Sequence, residues 1–314
     1  MAPGGGDADG TCAWREQLRP FLPEEVRRAL AGLPAALAGE AEELRLGAGR
    51  PLAVVLAAGE VWLAPDGRMV REEGEAVRPG AELVQRTLAL MSRWSVYALG
   101  EELRQGFLTL PGGHRVGLVG RSVLAEGKVR HLQQVAGMNL RICRAVPGAA
   151  RELLPWALAA DGTPASLLLV GPPGCGKTTL LRDLIRDLSR RGLRVGVVDE
   201  RSELGGCVAG VAQLDLGPRT DVLDGCPKAE GMMMLIRSMS PQVLATDELG
   251  RPEDAAAVLE ARNAGVAVLA TAHGGTLGQV ERRPSLAPLF AEAVFTHRVL
   301  LGRRPRPGAV LECC

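Results

Sequence analysis

An α/β domain on a mostly parallel, helix-covered sheet is predicted, preceded by a smaller α+β domain. Three observations carry this. The 314 residues are enough for two domains, each with its own core. From residue 147 onward, short apolar runs alternate with helical segments, the pattern of strand–helix–strand units that close into a parallel sheet. Before that point, strand-like segments follow one another through Gly-containing turns, with few helices between them.

The elements follow in order. Residues 1–14 are Gly-rich and read as a disordered start, and residues 15–146 as the α+β domain. Within it a helical pattern from about Arg15 to Leu37 is interrupted near Pro23 and Pro34. "EELRL" and "PLAVVLAAGEVWLAPDG" read as short strands, and "AELVQRTLALMSRW" as a helix whose Leu83, Leu88 and Met91 share a face. "GFLTLPGGHRVGLVGRSVLAEGKVRHL" then gives hairpins that close at "NLRICR". A Pro/Gly/Ala cluster near Pro147 marks the boundary of the second domain, residues 147–314. There "SLLLV" is a strand leading into a helix from Lys177 to about Arg190, and "LRVGVVDE" is the next strand. "AEGMMMLIRSM" is a helix, "PQVLATDE" a strand, "PEDAAAVLEARNAG" a helix and "VAVLATAH" a strand. Apolar runs near "VLLGR" suggest one or two extra edge strands.

Composition excludes several classes. A net charge of +1 gives no global basic field to attract nucleic acid, and aromatic residues make up only 3%. The seven cysteines are scattered without Cys-x-x-Cys pairs, as expected in a reducing compartment. No basic segment followed by an apolar one opens the chain, so no signal peptide is expected, and apolar runs are too short to span a bilayer.

The chemistry concentrates at the ends of the predicted parallel strands. Gly171, Pro172, Pro173, Gly174, Cys175, Gly176, Lys177 and Thr178, followed by Thr179, fit G-x-x-x-x-G-K-[ST], the P-loop. Glycines let such a loop curl with its N–H groups inward toward phosphate oxygens, and the following helix adds its positive end. Lys177 is then the point charge for the β and γ phosphates of ATP, and Thr178 a hydroxyl ligand for Mg²⁺. In "VLATDELG", Asp247 is placed to share that metal and Glu248 to activate the attacking water as general base. The next acidic cluster, "DERSE" at 199–203, and the pair Thr271 and His273 also end strands, where parallel sheets converge on a ligand. His273 is positioned to sense the γ-phosphate. A Gly-rich turn, an exposed acidic pair and a structural histidine are the bland alternatives, and their shared position at strand ends weighs against them.

In order, "GPPGCGKTT", "DERSE", "ATDELG" and "ATAHG" resemble the Walker A, Asp box, Walker B and His box of the type II/IV secretion ATPases, RecA-like P-loop proteins. "RTDVLDGCPKAEGMMMLIRSMSPQVLATDE" and "GGHRVGLVGR" are similar, more specifically, to the stage III AA sporulation branch of that family, over nearly the whole chain after residue 14. The resemblance implies a Mg²⁺-dependent ATPase forming a homo-oligomer, a hexamer, with Glu203 matching the final acid of the Asp box. "DERSE" departs from the usual Glu-Asp-Pro-x-Glu, which leaves the duties of Asp199 and Glu200 undivided. It further implies a cytoplasmic protein docked on the mother-cell side of the forespore, energising a channel complex of membrane proteins. The P-loop also groups the chain broadly with AAA+ ATPases, although too few residues follow His273 for a helical lid. A nucleic-acid-associated P-loop ATPase is the alternative, but no basic aromatic stripe supports it and direct nucleic-acid binding is not expected. Arg201, Arg219, Arg237, Arg115, Arg141 and Arg144 are the candidates for an arginine completing a neighbour's site.

Overall fold

A computed structural model describes residues 13–56, 58–92, 106–125, 127–304 and 306–314. The chain divides into two compact units, Met1–Arg144 and Ala145–Cys314.

The first unit opens on helices α1 (Ala13–Leu18), α2 (Glu24–Ala31) and α3 (Ala35–Glu40). Trp14, counted in the sequence with the disordered start, is 2% exposed and donates its Nε1–H to the Ala38 carbonyl at 2.9 Å. An aromatic ring with a satisfied N–H is a core group, so Trp14 belongs to the folded unit; residues 1–12 lie outside the described residues. Strands β1 (Ala41–Gly47), β2 (Ala53–Leu56), β3 (Gly59–Leu63), β4 (Met69–Val70), β5 (Phe107–Leu110), β6 (His114–Ala125) and β7 (Lys128–Arg141) follow. They form an antiparallel sheet in the order β4-β3-β2-β1-β7-β6-β5. Helix α4 (Ala81–Ser92) lies between β4 and β5 in sequence. Its buried face is Val84, Thr87 and Met91, with Leu83 and Leu88 only flanking it. Thr87 can be buried because its hydroxyl donates to the Leu83 carbonyl one turn back, at 2.7 Å. Arg93 and Trp94 of the predicted helix lie outside the described residues.

At the start of β6, His114 is fully buried, with Nε2 2.9 Å from Gln17 Oε1 and Nδ1 accepting the Cys143 N–H at 3.1 Å. Burial pushes its pKa down to about 4, so the ring is neutral.

The second unit begins with the short helix α5 (Leu154–Ala157) and then runs β8 (Leu167–Gly171), α6 (Lys177–Arg190), β9 (Val195–Asp199) and β10 (Thr220–Asp224). It continues with α7 (Lys228–Met239), β11 (Val243–Thr246), α8 (Pro252–Asn263), β12 (Ala267–His273), β13 (His297–Gly302) and β14 (Ala309–Cys313). The sheet order is β10-β9-β11-β12-β8-β13-β14, parallel throughout except for the β13–β14 pair. Every residue of β8 and β9 is buried, as expected of parallel strands covered on both faces. The two-residue period divides them. Leu167, Leu169, Val195 and Val197 meet Leu181 and Leu184 of α6 on one side. Leu168, Val170 and Val198 meet Met232 of α7 and Val258 of α8 on the other.

Two details differ from the expectation. β13 lies inside the sheet between β8 and β14, so only β14 is an extra edge. The other edge is β10, whose Asp221 and Asp224 obscure an apolar period in the sequence.

Candidate functional site

The strand order places the chemistry. β9, β11, β12 and β8 are successive neighbours, so Asp199, Asp247, His273 and the loop after Gly171 emerge along one sheet edge. Register fixes the alignment: His273 lies opposite Gly171, and Thr246 lies opposite Val198 on one side and Ala270 on the other.

Gly174 and Gly176 have φ of +70° and +92°, which lets the loop curl between β8 and α6. A Cβ at Gly171 would stand 2.5 Å from Cys175 Sγ and 2.9 Å from the Leu301 carbonyl oxygen, so the buried surroundings leave room only for glycine there. Pro172 is half-buried, and Pro173 and Gly174 form the exposed tip. No side chain caps α6, whose first-turn N–H groups have no intrahelical acceptor. Thr178 and Thr179 lie half-buried in that first turn. An uncapped, glycine-curled helix start fits the phosphates of a nucleotide.

Lys177 is 6% exposed. Its Nζ donates to the Gly171 and Pro172 carbonyls at 2.8 and 2.9 Å, and lies 3.2 Å from His273 Nδ1. With Nδ1 accepting from the ammonium, Nε2 carries the ring proton, and it faces Glu248 Oε1 at 3.3 Å. The second oxygen of Glu248 meets Arg201 Nη1 at 2.9 Å. Asp247 is held from two sides: Thr178 donates to Oδ2 at 2.7 Å, and the buried Thr271 hydroxyl donates to Oδ1. Thr271 Oγ1 also accepts the Glu248 N–H at 2.9 Å. A hydroxyl beside a carboxylate is a hard oxygen donor set, which suits Mg²⁺. In front of Glu248 lies a cleft of about 180 Å³, lined among others by Glu200, Arg201, Lys228, Arg251 and His273.

Lys177, Thr178, Asp247, Glu248 and His273 are thus connected through one set of contacts. Glu203 is not among the cleft-lining residues. Its N–H donates to Asp199 at 2.8 Å, and its carbonyl accepts from Arg182 at 2.6 Å. Asp199 is 2% exposed and also accepts the N–H groups of Leu204 and Gly205, so it holds the turn after β9. Burial raises its pKa, opposed by those three N–H groups. Glu200 pairs with Lys228. Ligand atoms of Asp199, Cys207 and Asp224 also lie within 4.8 Å of one another. Burial, with Asp224 and Asp199 beside it, pushes the Cys207 thiol up to about 12, and Ser202 donates to Asp224 at 2.8 Å. That group reads as a hydrogen-bonded support of the turn.

Sequence reasoning gave no role to the residues bracing the P-loop from outside. Arg303 donates through Nε to the Pro173 carbonyl at 2.9 Å, and the Gly308 N–H donates to the Cys175 carbonyl at 2.7 Å. Both belong to the β13–β14 connection, far from the motif in sequence and without a signature of their own. Among the arginines considered for a neighbouring site, Arg201 pairs with Glu248 of its own chain. Arg115 stacks 3.9 Å over the Phe107 ring, and Arg141 lies 3.7 Å from Glu43.

A family model described as "Sporulation stage III, protein AA" matches residues 13–313. The stage III sporulation protein AA of Bacillus subtilis (strain 168) is 42% identical over 302 residues, 94% of this chain and 94% of that protein. Among solved structures, the Legionella pneumophila ATPase DotB superposes with a TM-score of 0.54 at 16% identity, covering 88% of this chain and 74% of that one. The pilus retraction motor PilT with bound ADP gives 0.54 at 15% identity, covering 83% and 74%. These likenesses establish the secretion-ATPase fold. That group is a superfamily apart from AAA+, so the broad AAA+ grouping expected from the P-loop is corrected.

Proposed function

The chain belongs to the sporulation stage III protein AA family, and from that premise we propose that it is an ATP-hydrolysing motor. The observation that carries this reading is the continuous set of contacts from Lys177 through His273 to Glu248, beside Thr178 and Asp247. ATP enters with its phosphates against the curled loop 171–176 and the uncapped start of α6. Lys177 exchanges the Gly171 and Pro172 carbonyls for β- and γ-phosphate oxygens. Thr178 and Asp247 would hold Mg²⁺, which would supply positive charge against the developing negative charge of the reaction. Glu248 accepts a proton from the attacking water as the water oxygen bonds to the γ-phosphorus, and the bond from that phosphorus to the bridging oxygen breaks to leave ADP and phosphate. When Lys177 turns to phosphate, His273 loses that contact, so His273 registers occupancy of the loop. Glu203 is assigned to the same reaction only through its match to the last acid of the Asp box.

The proposed setting is a homo-oligomeric ring, a hexamer, docked from the mother-cell cytoplasm and energising a channel complex of membrane proteins at the forespore. Support comes from the sporulation relative and the secretion-ATPase fold. No helix among the described residues is long and apolar enough to cross a membrane, which fits docking.

The test of the nucleotide site is titration calorimetry with Mg–ATP. Lys177→Ala is expected to weaken binding by about tenfold or more while circular dichroism stays that of wild type. Equal affinity in the variant removes the P-loop from nucleotide binding.

A further inference from the structure

Arg201 stands in the acidic cluster after β9, where the secretion pattern carries no arginine, and its surroundings give it a specific task. The residues on either side are anchored. Glu200 is tied to Lys228. The Ser202 hydroxyl donates to Asp224 at 2.8 Å and accepts the Cys207 N–H at 2.9 Å. Asp199 gathers three N–H groups from residues 203–205 beneath them. From this fixed turn the Arg201 side chain, 56% exposed, reaches the cleft and meets Glu248 Oε2 at 2.9 Å.

Glu248 needs such a contact. Its backbone is pinned by the N–H bond to Thr271, but that bond does not set the direction of the carboxylate, and the side chain is 37% exposed. An ion pair this exposed adds little to stability, so holding the fold together does not account for it. It does fix direction. With Oε2 on Arg201, the other oxygen, Oε1, faces His273 Nε2, whose ring leads back to Lys177 and the P-loop.

We propose that Arg201 is the positioning residue of the water-activating carboxylate, gripping Glu248 Oε2 so that Oε1 is presented toward the γ-phosphate position. It acts on the glutamate of its own chain. This rests on the hydrolytic reading above and assigns the arginine of "DERSE" a duty that the Asp-box resemblance does not contain.

The experiment compares wild type, Arg201→Ala and Arg201→Lys in the full chain, measuring steady-state phosphate release, Mg–ATP affinity by calorimetry and melting temperature. A base that swings freely loses orientation, so Arg201→Ala is expected to lower kcat about tenfold or more. Affinity should stay within about twofold, because the ion-pair partner of Arg201 is Glu248 rather than a P-loop residue, and the melting temperature should not change. Arg201→Lys keeps a cation within reach and is expected to recover most of kcat. Turnover in Arg201→Ala equal to or above wild type overturns the proposal. So does a loss matched by an equal loss of ATP affinity. Absence of hydrolysis in wild type with ATP bound overturns the hydrolytic reading itself, and this inference with it.

Discussion

Glu248 has a φ of +57°, in the left-handed region that costs a non-glycine residue on the order of 1–2 kcal/mol. Strain of that kind persists where surrounding contacts over-determine it, and here the Thr271 hydroxyl takes the Glu248 N–H while donating to Asp247. One buried hydroxyl therefore holds the Asp247 carboxylate and the Glu248 backbone together. Replacing it by the near-isosteric Thr271→Val leaves an N–H and a carboxylate oxygen without that partner, at a cost of about 1–3 kcal/mol. Turnover in this variant is expected to drop about tenfold or more with the fold retained, read by phosphate release beside circular dichroism. Wild-type turnover would remove Thr271 from the site. At this scale the sequence was legible where the motif is contiguous: Lys177, Thr178, Asp247 and Glu248 announce themselves by spacing. The bridging duty of Thr271 was not, because its partners lie 23 and 24 positions away and meet it only through the β11–β12 pairing. Arg201 was singled out only as a candidate for a neighbour's site; its pairing with Glu248, 47 positions away, arises from the β9–β11 pairing and was not legible.

Elements with a strong apolar period could be read from the sequence with little error. α6 runs from Lys177 to Arg190 as expected, β9, β11 and β12 lie within their predicted segments, and β8 runs one residue past its own, to Gly171. β10 was not legible, because an edge strand carrying Asp221 and Asp224 lacks the apolar run of its buried neighbours. Nor was the anchoring of residues 148–150 to α6, where Asp183 accepts the N–H groups of Gly148 and Ala150 at 3.1 and 2.9 Å. In the first unit, β6 begins at a histidine whose neutral state is part of the packing. The unfolded chain takes up that proton near pH 6.5, whereas folded His114 resists it down to about 4. Its contribution is therefore intact above about pH 6.5 and drains as the pH falls toward 4, by up to about 3 kcal/mol. Urea midpoints of wild type should fall as the pH is lowered through this window, and His114→Gln should show a shallower fall. Parallel curves for the two proteins would place the proton uptake elsewhere.

Across the whole molecule, an antiparallel sheet and a parallel one each carry their own core. Among the described residues, the second brings strand ends, a P-loop and two acidic residues to one edge, so the proposed chemistry belongs to Ala145–Cys314. A hexamer in which subunits complete one another's sites requires hydrolysis per subunit to rise with protein concentration as rings assemble. The proposed role of Glu248 is to activate water for ATP hydrolysis at the P-loop. It is tested most directly by phosphate release from Mg–ATP across a dilution series, with mass by light scattering and with Glu248→Gln beside wild type. The amide keeps the shape of the carboxylate without its basicity, so Glu248→Gln is expected to bind ATP and turn over about a hundredfold more slowly. Wild-type activity per subunit is expected to rise with assembly. Wild-type turnover in Glu248→Gln, or a wild type that binds Mg–ATP in assembled form and releases no phosphate, would contradict the claim.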